Sequence, residues 1–95
     1  MASVIWTESA LSELEANGEF IAKGSPMSAN RMVELIRDAT LRAAEFPYAG
    51  RVIPEISQAN HREVFVSSYR IMYRIDGDIL YVTAVIHGAR DYKPV

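Results

Sequence analysis

HREVFVSSYRIMYRIDGDILYVTAVIHGAR, residues 61–90, is the stretch whose reading decides the fold. It reads as three short strands joined by two tight turns. Asp76-Gly77 lies between two runs rich in β-branched and aromatic residues. That is the pattern of a type I′ hairpin, whose central residues need positive φ and whose twist matches the flanking strands. With Asp76-Gly77 as the two-residue loop, Ile75 is expected opposite Asp78, Tyr73 opposite Leu80, Ile71 opposite Val82 and Arg70 opposite Thr83. Alternation then gathers Ile71, Tyr73, Ile75, Leu80, Val82, Ala84 and Ile86 on a core face. The other face carries Arg70, Met72, Arg74, Ile79, Tyr81, Thr83, Val85 and His87. It is only half apolar and holds two arginines, so it is the first place to expect recognition of a partner.

Working outward, the residues before this stretch are helical. Val4-Ile5-Trp6 is a short strand, and Thr7 is an N-cap with Glu8 in the first turn, where the helix dipole favours an acid. Ala10, Leu11, Leu14, Gly18 and Ile21 fall on one side of a helix running to about Lys23. Gly18 weakens that helix by roughly 1 kcal/mol relative to Ala, or else marks a close helix–helix approach. Glu13, Glu15 and Glu19 form an acidic outer face, solvated or serving to exclude or dock a partner. Gly24-Ser25-Pro26 supplies a C′ residue, an N-cap and a first helical residue in succession. Ala29, Met32, Val33, Ile36, Ala39, Thr40 and Ala43 then make a continuous apolar stripe at helical spacing. The short linker implies an αα-hairpin. Phe46-Pro47 ends the second helix, because the residue before proline avoids the α region. Residues 47–60 form a long loop, with room for a brief extended piece at Arg51-Val52-Ile53. Such a loop is either functional or a crossover from helix layer to sheet.

The expected fold is therefore α+β in the order β-α-α-β-β-β, a helical hairpin packed on a mostly antiparallel four-stranded sheet. Strands are expected near 2–6, 62–67, 69–76 and 79–87, and helices near 8–23 and 26–46. The length of 95 residues is that of one domain, residues 1–95, able to bury a core with little stability to spare. There is no cysteine, hence no disulfide and no thiolate metal site. No apolar run approaches a bilayer span and no signal-peptide pattern opens the chain, so a cytoplasmic location without membrane contact is expected.

The formal net charge is −2, a poor footprint for gripping a phosphate backbone, and direct nucleic-acid binding is not expected. No helix carries a basic recognition face, which disfavours a plain DNA-binding domain. The charge is uneven: residues 1–50 sum to −3 and residues 51–95 to +1. Eight of the ten basic residues are arginine, suited to planar bidentate contact with carboxylate or phosphate, although any single one reads first as a solvated strand end. No P-loop or dinucleotide fingerprint is present, and His61 and His87 have no carboxylates at metal-ligand spacing, so neither cofactor nor metal is expected.

The run from Arg62-Glu63-Val64 through Tyr69-Arg70-Ile71-Met72-Tyr73-Arg74-Ile75-Asp76, closed by His87-Gly88-Ala89-Arg90, resembles the C-terminal sheet of the RelE/ParE superfamily of toxin–antitoxin toxins. Val4-Ile5-Trp6-Thr7 and Phe46-Pro47-Tyr48-Ala49-Gly50-Arg51 extend the likeness over nearly the whole chain, and its wording is nearest the ParE, plasmid-stabilisation branch. The resemblance implies a toxin neutralised by a cognate antitoxin. ParE-like members act by binding DNA gyrase. RelE-like members cleave mRNA with lysines on the first of the three strands and two arginines. Arg70 and Arg90 match the arginine positions, but His61 and Glu63 stand where the lysines would be. Tyr92 falls closer to Arg90 than the RelE tail tyrosine does. A YoeB-like set of Glu, Arg and His lays onto Glu55, Arg70 and His87 only with a gap, since the expected register separates Arg70 from His87 by roughly 13 Å.

Metal-free cleavage needs a base, cations on the phosphate and an acid. The gyrase-binding reading needs none of these and fits the acidic composition, so no nuclease activity is expected. An mRNA endonuclease using Glu55, Arg70, His87 and Arg90, or a detoxified member, is the alternative. Arg70, Met72, Arg74, Ile79, Tyr81, Val85, His87 and Arg90 are the expected partner-binding residues. The antitoxin is expected to fold as it wraps the mixed sheet face, with Arg70 and Arg74 meeting its carboxylates, unless that face lies under the chain's own loop 47–60.

Overall fold

The structure, a computed structural model, describes residues 1–88. Its elements run β1 (Ser3–Trp6), α1 (Glu8–Gly24), α2 (Pro26–Glu45), a 3-10 turn (Pro47–Ala49), β2 (Arg51–Val52), β3 (His61–Val66), β4 (Tyr69–Asp76) and β5 (Ile79–His87). The strands form one sheet in the order β1-β5-β4-β3-β2, with β1 parallel to β5 and the other neighbours antiparallel. The fold is α+β as expected. The short β2 makes the sheet five-stranded rather than four-stranded.

Helix boundaries follow from capping chemistry. Thr7 Oγ1 accepts from Ala10 N–H at 3.1 Å to start α1. Ser25 serves both helices: its N–H donates to Ile21 O, and its Oγ accepts from Ser28 N–H at 3.2 Å to open α2 on Pro26. Gly24, expected just past the helix, is instead its last residue. Gly18 is not a forced close approach, since a Cβ there would sit 3.9 Å from Val33 Cγ2, an ordinary contact. Phe46, at φ −133°, ends α2 before Pro47.

The helical hairpin covers one face of the sheet. Ala10, Ile36, Ala39 and Ala43 meet Tyr69, Ile71, Tyr73, Ile75, Leu80, Val82 and Val85 in the main core. A second, smaller cluster lies on the opposite face, where Ile53 and Ile56 of the 53–60 loop pack over Met72, Ala84 and Ile86.

Two features correct the expected β4–β5 register. The loop is Gly77-Asp78, closed by the pair Asp76↔Ile79, so Ile75 faces Leu80 and Tyr73 faces Val82. Among these turn residues only Gly77 has positive φ, at 57°. Glycine at the first central position with one positive φ is the type II′ requirement, not the I′ one. The second feature is a β-bulge. Tyr73 pairs with Val82 but Met72 pairs with Ala84, leaving Thr83 as the extra residue. One extra residue reverses the alternation downstream. Ala84 and Ile86, expected on the helix-side face, therefore lie on the opposite one, while Val85, expected on the mixed face, enters the main core at 1% exposure.

Beyond Trp6, no strand among the described residues lies beside β5 on the β1 side, and α1 side chains meet its backbone there. Glu13 Oε1 accepts from Val85 N–H at 3.1 Å, and Asn17 Nδ2 donates to Val85 O at 3.3 Å. Glu13 thus turns inward and is not part of a solvated acidic face.

Candidate functional site

On the sheet face away from the helices, β3 and β4 are joined by a two-residue turn with Val66 opposite Tyr69. This register puts Phe65 opposite Arg70 and Glu63 opposite Met72, so Glu63 and Arg70 are diagonal neighbours on one face. Arg70 Nε and Nη2 donate to the two Glu63 carboxylate oxygens at 2.7 and 3.2 Å. Its Nη1 and Nη2 donate to the two Glu55 oxygens at 2.8 and 2.7 Å. One guanidinium thus holds two carboxylates, both bidentate. Arg51 Nε closes the cluster on Glu63 Oε2 at 2.6 Å while its guanidinium lies 5.0 Å from the Phe65 ring centre. Two arginines and two carboxylates sum to zero charge.

Burial within the cluster is graded. The Glu63 side chain is 0% exposed, that of Arg70 8% and that of Glu55 29%. The Arg70 hydrogen bond lowers the Glu55 carboxyl pKa from 4.5 to about 2. The same carboxylates push the Arg70 guanidinium above its ordinary, already high value, so it is charged. The loop bearing Glu55 is held by Arg62, which donates to the carbonyls of Ala59, Tyr48 and Gly50 and stacks 5.1 Å from the Tyr48 ring centre. Gly50 is required there: a Cβ would collide with the Tyr73 hydroxyl and sit 2.8 Å from Glu63 O. That hydroxyl donates to Pro47 O at 2.8 Å, and burial raises its pKa.

The expected site residues separate into groups. Glu55 and Arg70 meet directly. His87 does not join them: the bulge pairs it with Tyr69, whose ring it meets edge-on at 5.4 Å on the helix side of the sheet. The expected gap along the strand between Arg70 and His87 is thereby corrected to placement on opposite faces. Met72, at 0% exposure, lies beneath Ile53 and Ile56, and Val85 is in the main core, so neither is the open surface expected for it. Arg74 sits opposite Tyr81 with its guanidinium 4.6 Å from the ring centre; both are half-buried, as is Ile79. Arg90 and Tyr92 lie outside the described residues. The roles of Glu63 and Arg51 were missed by sequence reasoning. The signal available was the spacing of Glu63 and Arg70 about a two-residue turn.

A cavity of about 210 Å³ lies on the helix side of the sheet, opposite the arginine cluster, lined by Ala39, Arg42, Phe46, Gly50, Val64 and Tyr73 among others. Among the described residues, no group of three or more His, Asp or Glu side chains is placed to hold a metal ion, and no helix is long and apolar enough to cross a membrane.

The family described as "ParE toxin of type II toxin-antitoxin system, parDE" matches residues 4–92. Toxin RelE2 of Caulobacter vibrioides is 35% identical over 91 residues, spanning 95% of this chain and 99% of that one. Among solved structures, the chromosomal ParDE system from P. aeruginosa superposes with a TM-score of 0.74 at 18% identity, covering 92% of this chain and 96% of that one. A YoeB/ParE toxin from Agrobacterium tumefaciens gives 0.62 at 24% identity, covering 92% and 98%. The two structures support the fold, and the family match and the Caulobacter relative carry the assignment: this chain belongs to the ParE family of type II toxins, within the RelE/ParE superfamily, and is the toxin half of a toxin–antitoxin pair.

Proposed function

We propose that this toxin acts in the cytoplasm as a single domain of residues 1–95, inhibits DNA gyrase by binding it, cleaves no RNA, and is held inactive by its cognate antitoxin. The observation that carries the reading is the state of Arg70. A metal-free nuclease of this superfamily needs that arginine to meet a phosphate, and here two carboxylates take four of its five N–H donors, one of them the fully buried and fixed Glu63. The positions that hold lysines in RelE-like nucleases are His61 and Glu63, and Glu63 is buried as a counter-charge. Removing one electrostatic contact from a site of this kind costs about 3–4 kcal/mol of transition-state stabilisation, so lacking both lysines leaves little rate. The partner surface on this reading is Arg74, Ile79 and Tyr81 at the open end of the sheet, with Arg70 and Arg90 as anchors, since arginine is a frequent hot-spot residue.

The mRNA-endonuclease reading has one observation in its favour, the direct contact of Glu55 with Arg70. It requires His87 to reach the same substrate from the other face of the sheet. Two assays on one preparation separate the readings: translating ribosomes scored for mRNA cuts, and gyrase scored for supercoiling inhibition or trapped cleavage complexes. Loss of supercoiling with intact mRNA is expected, and Arg74→Ala should weaken that inhibition while keeping the fold. Codon-dependent cuts with supercoiling untouched would replace this reading with the endonuclease one.

A further inference from the structure

We propose that the outer edge of the Arg70 guanidinium is a carboxylate-binding site, that Glu55 is the chain's own occupant of it, and that an Asp or Glu side chain of the partner polypeptide displaces Glu55 on binding. The two carboxylates on Arg70 are not equivalent. Glu63 comes from the middle of β3, has no exposed side-chain surface, and is also held by Arg51 at 2.6 Å. It fixes the orientation of Arg70 and cannot leave. Glu55 comes from the 53–57 turn, and its side chain keeps 29% of its surface in water. That turn is closed mainly upon itself, by Ile56 N–H and Ser57 N–H to Ile53 O at 3.1 and 2.8 Å and by Ser57 Oγ to Pro54 O at 2.9 Å. Ser57 takes a positive φ of 55°, a conformation a non-glycine residue adopts at a cost. At the turn's base Ile53 N–H donates to His61 O of β3 at 3.0 Å and Ile53 and Ile56 find their apolar seat; beyond these, the Glu55 carboxylate ties the turn's tip to the sheet.

Removing Glu55 from the cluster leaves two arginines against Glu63, a charge of +1 on a planar fork aimed at the position the Glu55 oxygens occupy. A carboxylate restores neutrality and reproduces the bidentate geometry. A phosphodiester fits less well. Its tetrahedral oxygens match the fork, but Glu63 already offsets one of the two arginines and the chain's net charge is −2, so a residual +1 is weak holding for a polyanion. A partner carboxylate also avoids leaving Arg70 buried and unpaired, which makes exchange of one acid for another far easier than simple opening. The inference rests on the antitoxin as partner only for the identity of the polypeptide, not for the existence of the site.

The test uses the full chain and two small probes, sodium acetate and dimethyl phosphate, titrated at constant ionic strength. The readouts are the Arg70 Nε–H resonance and the melting temperature. In Glu55→Ala, acetate should shift the resonance saturably and raise the melting temperature, while the wild type, whose site is filled, should move in neither. Glu55→Ala should also bind the cognate antitoxin about tenfold more tightly, because no internal carboxylate has to be displaced. If Glu55→Ala does not fold, Glu55→Gln, which keeps the shape and loses the charge, carries the same measurements. An equal acetate response in wild type and variant would overturn the latch, and no response in the variant would overturn the site. Response to dimethyl phosphate but not acetate would assign the fork to a nucleic-acid backbone instead. None of these outcomes depends on gyrase inhibition, so the failure of that activity would be distinguishable.

Discussion

At the scale of single residues, Glu55 and Gly50 make the sharpest predictions. The Glu55 carboxyl has a folded pKa of about 2 against an ordinary 4.5, chiefly through its hydrogen bonds to Arg70. A depressed acid contributes stability that is fully present above its unfolded pKa and is lost as pH falls through the folded one. The folded state should therefore lose stability between pH 4.5 and about 2 on account of this group. Because the side chain is partly in water, the loss should be on the order of 1 kcal/mol. Urea midpoints measured at neutral and acid pH check it: Glu55→Gln should be less stable than wild type at neutral pH, and the gap should close in acid. A gap constant with pH would remove the ionic explanation. Gly50→Ala should cost about 1–3 kcal/mol, because the new methyl meets the Tyr73 hydroxyl and the Glu63 carbonyl, and neither can retreat without breaking a hydrogen bond or a strand pair. An Ala variant as stable as wild type would mean that the 3-10 turn slides to make room.

At the scale of elements, the turns and the bulge decide which face each side chain occupies. Val85→Ala should cost about 2 kcal/mol, the transfer value of its two buried Cγ methyls plus the cavity they leave, and Thr83→Ala far less. The expected register would assign Val85 to the mixed face and give it a small cost, so the pair of denaturation curves tests the bulge directly. The first turn of the sheet carries a different strain. Ser67 sits at φ 53° in the two-residue loop between β3 and β4, where a glycine is at ease. Ser67→Gly should raise stability by about 0.5 kcal/mol, the relief of left-handed strain less glycine's greater freedom in the unfolded chain. A drop in the urea midpoint would show that the serine side chain does more than occupy the turn.

These elements also show what could be read in the chain beforehand. The helical hairpin was legible because Thr7, Ser25 and Pro26 carry their capping chemistry in their own identities and the α2 stripe keeps one period throughout. The alternation of β4 was legible for the same reason. What could not be read was Thr83, since an extra residue in a ladder has no composition signal and only its non-local partners reveal it. The choice between two adjacent turn frames, Asp76-Gly77 and Gly77-Asp78, was similarly open, as both contain a glycine suited to positive φ. The arginine cluster fell between these cases. Glu63 and Arg70 were within reach of strand arithmetic, but Glu55 and Arg51 come from a loop whose path depends on where Ile53 and Ile56 find a seat.

At the scale of the whole molecule, charge is divided between layers. The α1 helix carries Glu8, Glu15 and Glu19 on its exposed face against Lys23, while Glu13 turns inward to Val85, so the outer side of this helix is net negative. On the opposite side, the Arg51–Glu63–Arg70–Glu55 cluster is neutral and Arg74 adds a positive group over Tyr81. The net charge of −2 therefore conceals a direction, and an acidic partner segment is repelled by one layer and accepted by the other. Steering of this kind acts on the association rate more than on dissociation. The rate at which the cognate antitoxin binds should fall as salt is raised, and Arg74→Ala should lower it severalfold at low salt. Glu15→Gln with Glu19→Gln, which reduces the repelling charge without touching the sheet face, should raise it modestly. Stopped-flow binding across a salt series measures all three. A rate indifferent to salt and to Arg74, yet lowered by the glutamate replacements, would place the antitoxin on the helix layer and require a basic binding segment in place of an acidic one.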